Sequence, residues 1–167
     1  RRAAADQRGQ SLVEFSLTII VFGFMLFGLI DGARLVFMNS NLSQAAREGA
    51  RQASVEASWV GSSEGSCNTT AGPVCPATVN DLKTDVITAV NRTNALGSIP
   101  SGSVFLSCVD STSTPPSGAW TGQTCSSTAS GSYVSVRVSS TYTAITPVIG
   151  QIFGTIQLSG AATMTIN

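Results

Sequence analysis

Histidine is absent from the 167 residues. Its absence removes the usual general base near neutral pH and the commonest metal ligand, so Ser-His-Asp, Cys-His and zinc-histidine chemistries are excluded. Charge is also scarce, at 11% against a usual level of about 25%, and nine basic residues cancel nine acidic ones. Such a chain offers no basic face for phosphates, which argues against a nucleic-acid partner. No G-x-S-x-G, P-loop or dinucleotide fingerprint occurs, and the glycines accompany serine and threonine instead. Asp81 and Asp85 share a helix face at i,i+4, a pairing that first-turn acids complementing the helix dipole explain. The expectation is a chain with no enzymatic activity, no cofactor and no metal.

What the sequence does contain is a long apolar stretch. Arg1, Arg2 and Arg8 face a single Asp6, and no charge occurs from Phe15 to Ile30. The positive-inside bias places residues 1–9 as a basic cytoplasmic flank or leader and directs the remainder outward. Gly9 to Ile30 is 22 residues, about 33 Å of helix, enough for a hydrocarbon core of about 30 Å. A cleavable secretory signal would have a shorter apolar core and a small-residue cleavage site. Here the run is longer and is followed by Asp31-Gly32-Ala33-Arg34, so the segment is expected to be retained. Glu14 is the exception within it. A carboxylate at the centre of a membrane helix costs about 2.5 to 3.5 kcal/mol, so this one belongs at the rim or beside a partner.

The block RGQSLVEFSLTIIVFGFMLFGLIDGARLVFMNSNLSQAAREGARQAS, residues 8–54, resembles the TadE-like family, the pseudopilins or minor pilins of tight adherence (Tad) pili. The resemblance rests on Gly9-Gln10-Ser11-Leu12-Val13-Glu14-Phe15, on Gly32-Ala33-Arg34 and on Ala45-Ala46-Arg47-Glu48-Gly49-Ala50-Arg51. A second block, Tyr142 to Phe153 followed by Ile156 to Met164, is similar to the family's closing segment. The resemblance implies that a prepilin peptidase cuts between Gly9 and Gln10. Glu14 would then stand fifth in the mature chain and act, with Phe15, in subunit assembly. It also implies pilin or pseudopilin subunits as partners.

Leu35, Met38, Leu42, Ala45, Ala46, Gly49 and Ala53 follow a helical series, extending the apolar helix outward to about Ser58. Gly28 and Gly32 form a small-xxx-small pair suited to assembly, and Ala46, Ala50 and Ala53 continue a thin face that another helix could approach. Asp31 with Arg34 and Glu48 with Arg51 are spaced for i,i+3 ion pairs that solvate a rod.

After Trp59 the composition shifts to Gly, Ser and Thr. Val60 to Thr78 reads as a loop. Four cysteines permit three pairings; Cys67 with Cys75 and Cys108 with Cys125 is favoured because each pair would staple a loop. Disulfides imply an oxidising compartment. Asp81 to Leu96 reads as a helix with Leu82, Val86, Ala89 or Val90, and Thr93 on one face, Asn80 or Asp81 as N-cap and Gly97 as the stop. Ser103–Val109, Tyr133–Tyr142 and Thr155–Ile166 read as strands, the last with alternation from Ile156 to Ile166. Asp110 to Ser132 is an insertion around Trp120, and Thr146-Pro147 breaks the chain before a short connection over residues 148–153.

The expected fold class is α+β. A leader or flank over residues 1–9 precedes a long helix over 10–58, membrane-spanning from about 10 to 30. An extracytoplasmic domain follows over 59–167, with a small antiparallel sheet, one packed helix and disulfide-stapled loops. Two functions fit. One is a structural subunit or minor pilin of a Tad-type surface pilus, placed in the cytoplasmic membrane with its C-terminus outside, or in the extracellular filament. The other is a single-pass surface-binding protein that never enters a filament and grips a host or surface ligand with its loops.

Overall fold

A computed structural model describes residues 3–61, 75–95, 97–112, 124–125, 127–146, 150–151 and 154–167, with backbone alone for 3–8 and 124. Two units are distinguished, one comprising residues 1–37 and 142–156 and the other 38–141 and 157–167. The elements run α1 (Ala3–Glu56), α2 (Val79–Thr93), β1 (Val104–Val109), β2 (Thr124–Cys125), β3 (Tyr133–Thr143) and β4 (Thr155–Thr165), with 3-10 turns at Ala57–Trp59 and Ser101–Ser103. This is the expected α+β arrangement: one long apolar helix, a second helix and a small sheet.

In the second unit, the core forms around the end of α1 from Leu42 and the 3-10 turn that follows it. Leu42, Ala45, Ala46, Ala50, Ala53 and Ala57 are fully buried there. Small side chains allow that closeness: a Cβ added at Gly49 would lie 2.8 Å from Val90 Cγ2, 3.2 Å from Val136 Cγ1 and 3.3 Å from Val86 Cγ1. The Ala46, Ala50 and Ala53 face is therefore occupied by the chain's own domain. The close helix approach that the spacing allows is thus met within the chain, by Val86 and Val90 of α2, with Val136 of the sheet beside them.

The sheet order is β2-β1-β3-β4. β1 and β3 pair antiparallel from Val104 opposite Val138 to Val109 opposite Tyr133. Along β3, Val134, Val136 and Val138 are fully buried. Ser135, on the opposite face, is also buried, its hydroxyl 2.7 Å from that of Thr163. β4 keeps the expected period of two: Leu158, Gly160 and Ile166 are buried while Gln157, Ser159 and Thr163 are exposed. The departure is β2, a two-residue strand parallel to β1 that sets Cys125 opposite Cys108. Those two cysteines form a disulfide, so the parallel pairing is set by the cross-link rather than by a hydrophobic pattern. Cys75 is also disulfide-bonded; Cys67 lies outside the described residues, as do Gly65, Gly72, Pro73 and Trp120.

α2 begins two residues before the expected start. Its N-cap is Thr78, not Asn80 or Asp81; the Thr78 hydroxyl accepts from the Asp81 N–H while the Asp81 carboxylate accepts from the Thr78 N–H. This reciprocal capping box satisfies two N-terminal donors that a cap at Asn80 would leave unpaired. Leu82, Val86, Ala89 and Val90 form its buried face, as the spacing predicts. The helix ends at Thr93 rather than Leu96, and Gly97 follows with φ +99°. Between β3 and β4 the helical turn at Gly150 and Gln151 agrees with the expected connection, while Pro147, Val148, Ile149, Ile152 and Phe153 lie outside the described residues.

Gly160 on β4 meets the backbone of α1 directly, since an added Cβ would collide with the Leu42 carbonyl. Gly160→Ala should therefore destabilise the domain by about 1 to 3 kcal/mol in a urea titration. Gly102→Ala, whose Cβ would enter open space, should change stability by less than about 0.5 kcal/mol.

Candidate functional site

The first unit carries two features, an uncovered apolar helix surface and a carboxylate clamp at its end. From Leu12 to Ile30 large apolar side chains are exposed on every side of α1, including Phe15 at 67%, Phe22 at 58% and Met25 at 74%. A helix apolar all round belongs in a membrane or against other apolar helices. By length and composition this helix is sufficient to cross a membrane. Its polar side chains are satisfied locally: the Ser16 hydroxyl donates to the Leu12 carbonyl at 2.6 Å and Thr18 to the Glu14 carbonyl at 2.8 Å.

The residues singled out from sequence lie along this surface. Gly9 and Gln10 are exposed and helical, with open space where a Cβ at Gly9 would point. Glu14 is exposed and accepts a hydrogen bond from the Gln10 amide at 3.0 Å, so these two residues meet across one helical turn. Gly28 and Gly32 do not meet these residues. They line an apolar groove of about 280 Å³ with Leu35, Tyr142, Ala144 and Ile156.

Beside that groove sits a residue whose part was not legible in the spacing. Asp31 is buried, 4% exposed. The Ile145 N–H donates to its Oδ1 at 3.1 Å, the Thr146 N–H to its Oδ2 at 3.0 Å, and the Tyr142 hydroxyl to its Oδ1 at 3.2 Å and to its backbone carbonyl at 2.9 Å. Arg34 Nη1 stands off at 3.9 Å and its guanidinium lies 5.8 Å from the centre of the Tyr142 ring. The expected Asp31–Arg34 pair is thus the lesser contact, and the carboxylate serves as an acceptor that fastens residues 142–146 to the helix. Glu48 and Arg51 do pair, as their spacing predicts, through two hydrogen bonds from the guanidinium.

The hydrogen bond from the Thr146 side chain, joined by those from the Ile145 and Thr146 N–H groups and the Tyr142 hydroxyl, outweighs burial and holds the Asp31 carboxyl down at about 2. Burial and then the Asp31 charge push the Tyr142 phenol up, so it remains a donor. Because the folded value lies below the ordinary one, the clamp's contribution is complete above about pH 4 and is lost as pH falls through about 2. The Ile145 and Thr146 amide resonances should therefore titrate with a midpoint near 2 rather than 3.8. In Asp31→Asn that titration should vanish and both amides should exchange with solvent about tenfold faster or more.

No curated protein and no solved structure matches the chain. The block from Tyr142 to Met164 lies outside the family match that the N-terminal region makes. Residues 9–51 match the family model described as TadE-like protein, the family that this N-terminal block resembles.

Proposed function

We propose that this chain is a non-enzymatic structural subunit or minor pilin of a Tad-type pilus, one that leaves the membrane and packs through the apolar part of α1. The observation that carries this proposal is the uncovered surface from Leu12 to Ile30 on a helix that carries a glycine-to-acid motif, Gly9 to Glu14, in its first turns. The family match gives the coarser statement, a pilus-associated pilin-like protein. In the proposed course, residues 1–9 lie in the cytoplasm and a prepilin peptidase cuts after Gly9. The helix then exchanges lipid for neighbouring pilin-type helices. Glu14 would face a neighbour's new N-terminal amine in a filament core, where either charge alone would be costly. The outer loops would be free to meet a host or surface ligand.

Edman sequencing of the cell-surface product should begin at Gln10. Glu14→Ala should insert into the membrane as the parent does, yet its recovery in sheared filaments should fall about tenfold or more. A surface product that retains Arg1, with neither the parent nor Glu14→Ala recovered in sheared filaments, would instead support a single-pass surface-binding protein.

A further inference from the structure

A cleft of about 700 Å³ opens between the last turns of α1 and one face of α2, lined by Gln52, Glu56, Asp81, Thr84, Asp85 and Arg92 among others. It lies wholly within the second unit. Glu56, the last residue of α1, is 5% exposed. Its Oε1 accepts a hydrogen bond from the Gln52 amide, while its Oε2 is buried with no hydrogen-bond partner among the described residues. A buried carboxylate oxygen without a donor is expensive, and such atoms usually have a protein or water partner. Asp85 is half-buried beside it, whereas Asp81 is exposed and committed to the Thr78 cap. Arg92 is exposed and forms no ion pair with either acid among the described residues.

We propose that this cleft binds an organic cation, an alkylammonium or alkylguanidinium group, whose N–H donors go to Glu56 Oε2 and the Asp85 carboxylate. Among the described residues, a donor for Glu56 Oε2 and a cation paired with either acid are what the site lacks. Burial, with Asp85 nearby, holds the Glu56 carboxyl above its usual value, and burial with Asp81 nearby does the same for Asp85; an incoming cation relieves both. A divalent metal fits poorly. Calcium takes about six to eight oxygens, and no group of three His, Cys, Asp or Glu side chains converges among the described residues. The volume is that of a site for an organic group rather than a bare ion. Pro76, Ala77 and Ala89 supply an apolar wall for an alkyl stem. The inference does not depend on the pilus assignment, because it concerns the outer domain alone.

The test is an amide-resonance titration of the full chain in detergent micelles. The probes are n-butylammonium, n-butylguanidinium and a short lysine-containing peptide capped at both ends, with calcium as control. Saturable shifts at Gln52, Glu56 and Asp85, weakened about tenfold or more in Glu56→Gln while its spectrum stays dispersed, would support the site. Asp85→Asn gives the same test if Glu56→Gln does not fold, and Lys83→Ala should bind as the parent does. Tighter binding of the peptide would identify a protein side chain as the source of the cation; equal binding would identify a free amine. Absence of saturable shifts, undiminished binding by both folded variants, or saturation by calcium alone would overturn the proposal.

Discussion

The constraint on which the rest of this structure depends is that α1 presents apolar side chains in all directions from Leu12 to Ile30 and nothing in its own unit covers most of them. Water is a poor surround for such a surface; lipid tails or other apolar helices are the alternatives. A helix is the form in which the backbone tolerates either, because every interior N–H and C=O is paired along the chain. The hydroxyls of Ser16 and Thr18 follow the same rule by bonding back to carbonyls one turn earlier. After Leu42 the buried face of α1 is mostly alanine and glycine, Ala45, Ala46, Gly49, Ala50 and Ala53, and the domain's own valines pack there at Gly49. One helix therefore serves two surrounds, the difference being side-chain size.

At the end of the apolar run, Asp31 gathers donors from Tyr142, Ile145 and Thr146. A carboxylate is an economical anchor there, since its two oxygens receive the N–H groups of a turn that leaves β3 and cannot yet pair in β4. The same bonds keep it ionised despite burial. The chain thus places its first charge after the membrane-length run where fold-derived donors can hold it.

The helices and strands were legible because their signals are local. An uncharged run of membrane length, the Leu82-Val86-Val90 spacing and the alternation from Ile156 to Ile166 each state a period that one element obeys alone. What was not legible depends on residues distant in sequence. Asp31 and Arg34 look like a local ion pair, yet the partners that matter are more than 100 residues away. The Ala46-Ala50-Ala53 face is readable as a packing surface, but whether its partner is another chain or this chain's own sheet is not encoded in the spacing. Thr78 does not stand out as a cap because its capping box closes with an aspartate at the third position rather than the commoner glutamate. Glu56 carries no motif; that one of its oxygens is buried without a donor among the described residues depends on what packs beside it in the fold.

The central claim, that the uncovered part of α1 is the assembly surface, can be tested by placing a photoreactive side chain at Phe24, which is 52% exposed, and irradiating cells that make the filament. The account predicts adducts with the apolar helices of other pilin-type subunits, recovered in the sheared filament fraction. Adducts with lipid alone, and none of this chain in that fraction, would contradict it.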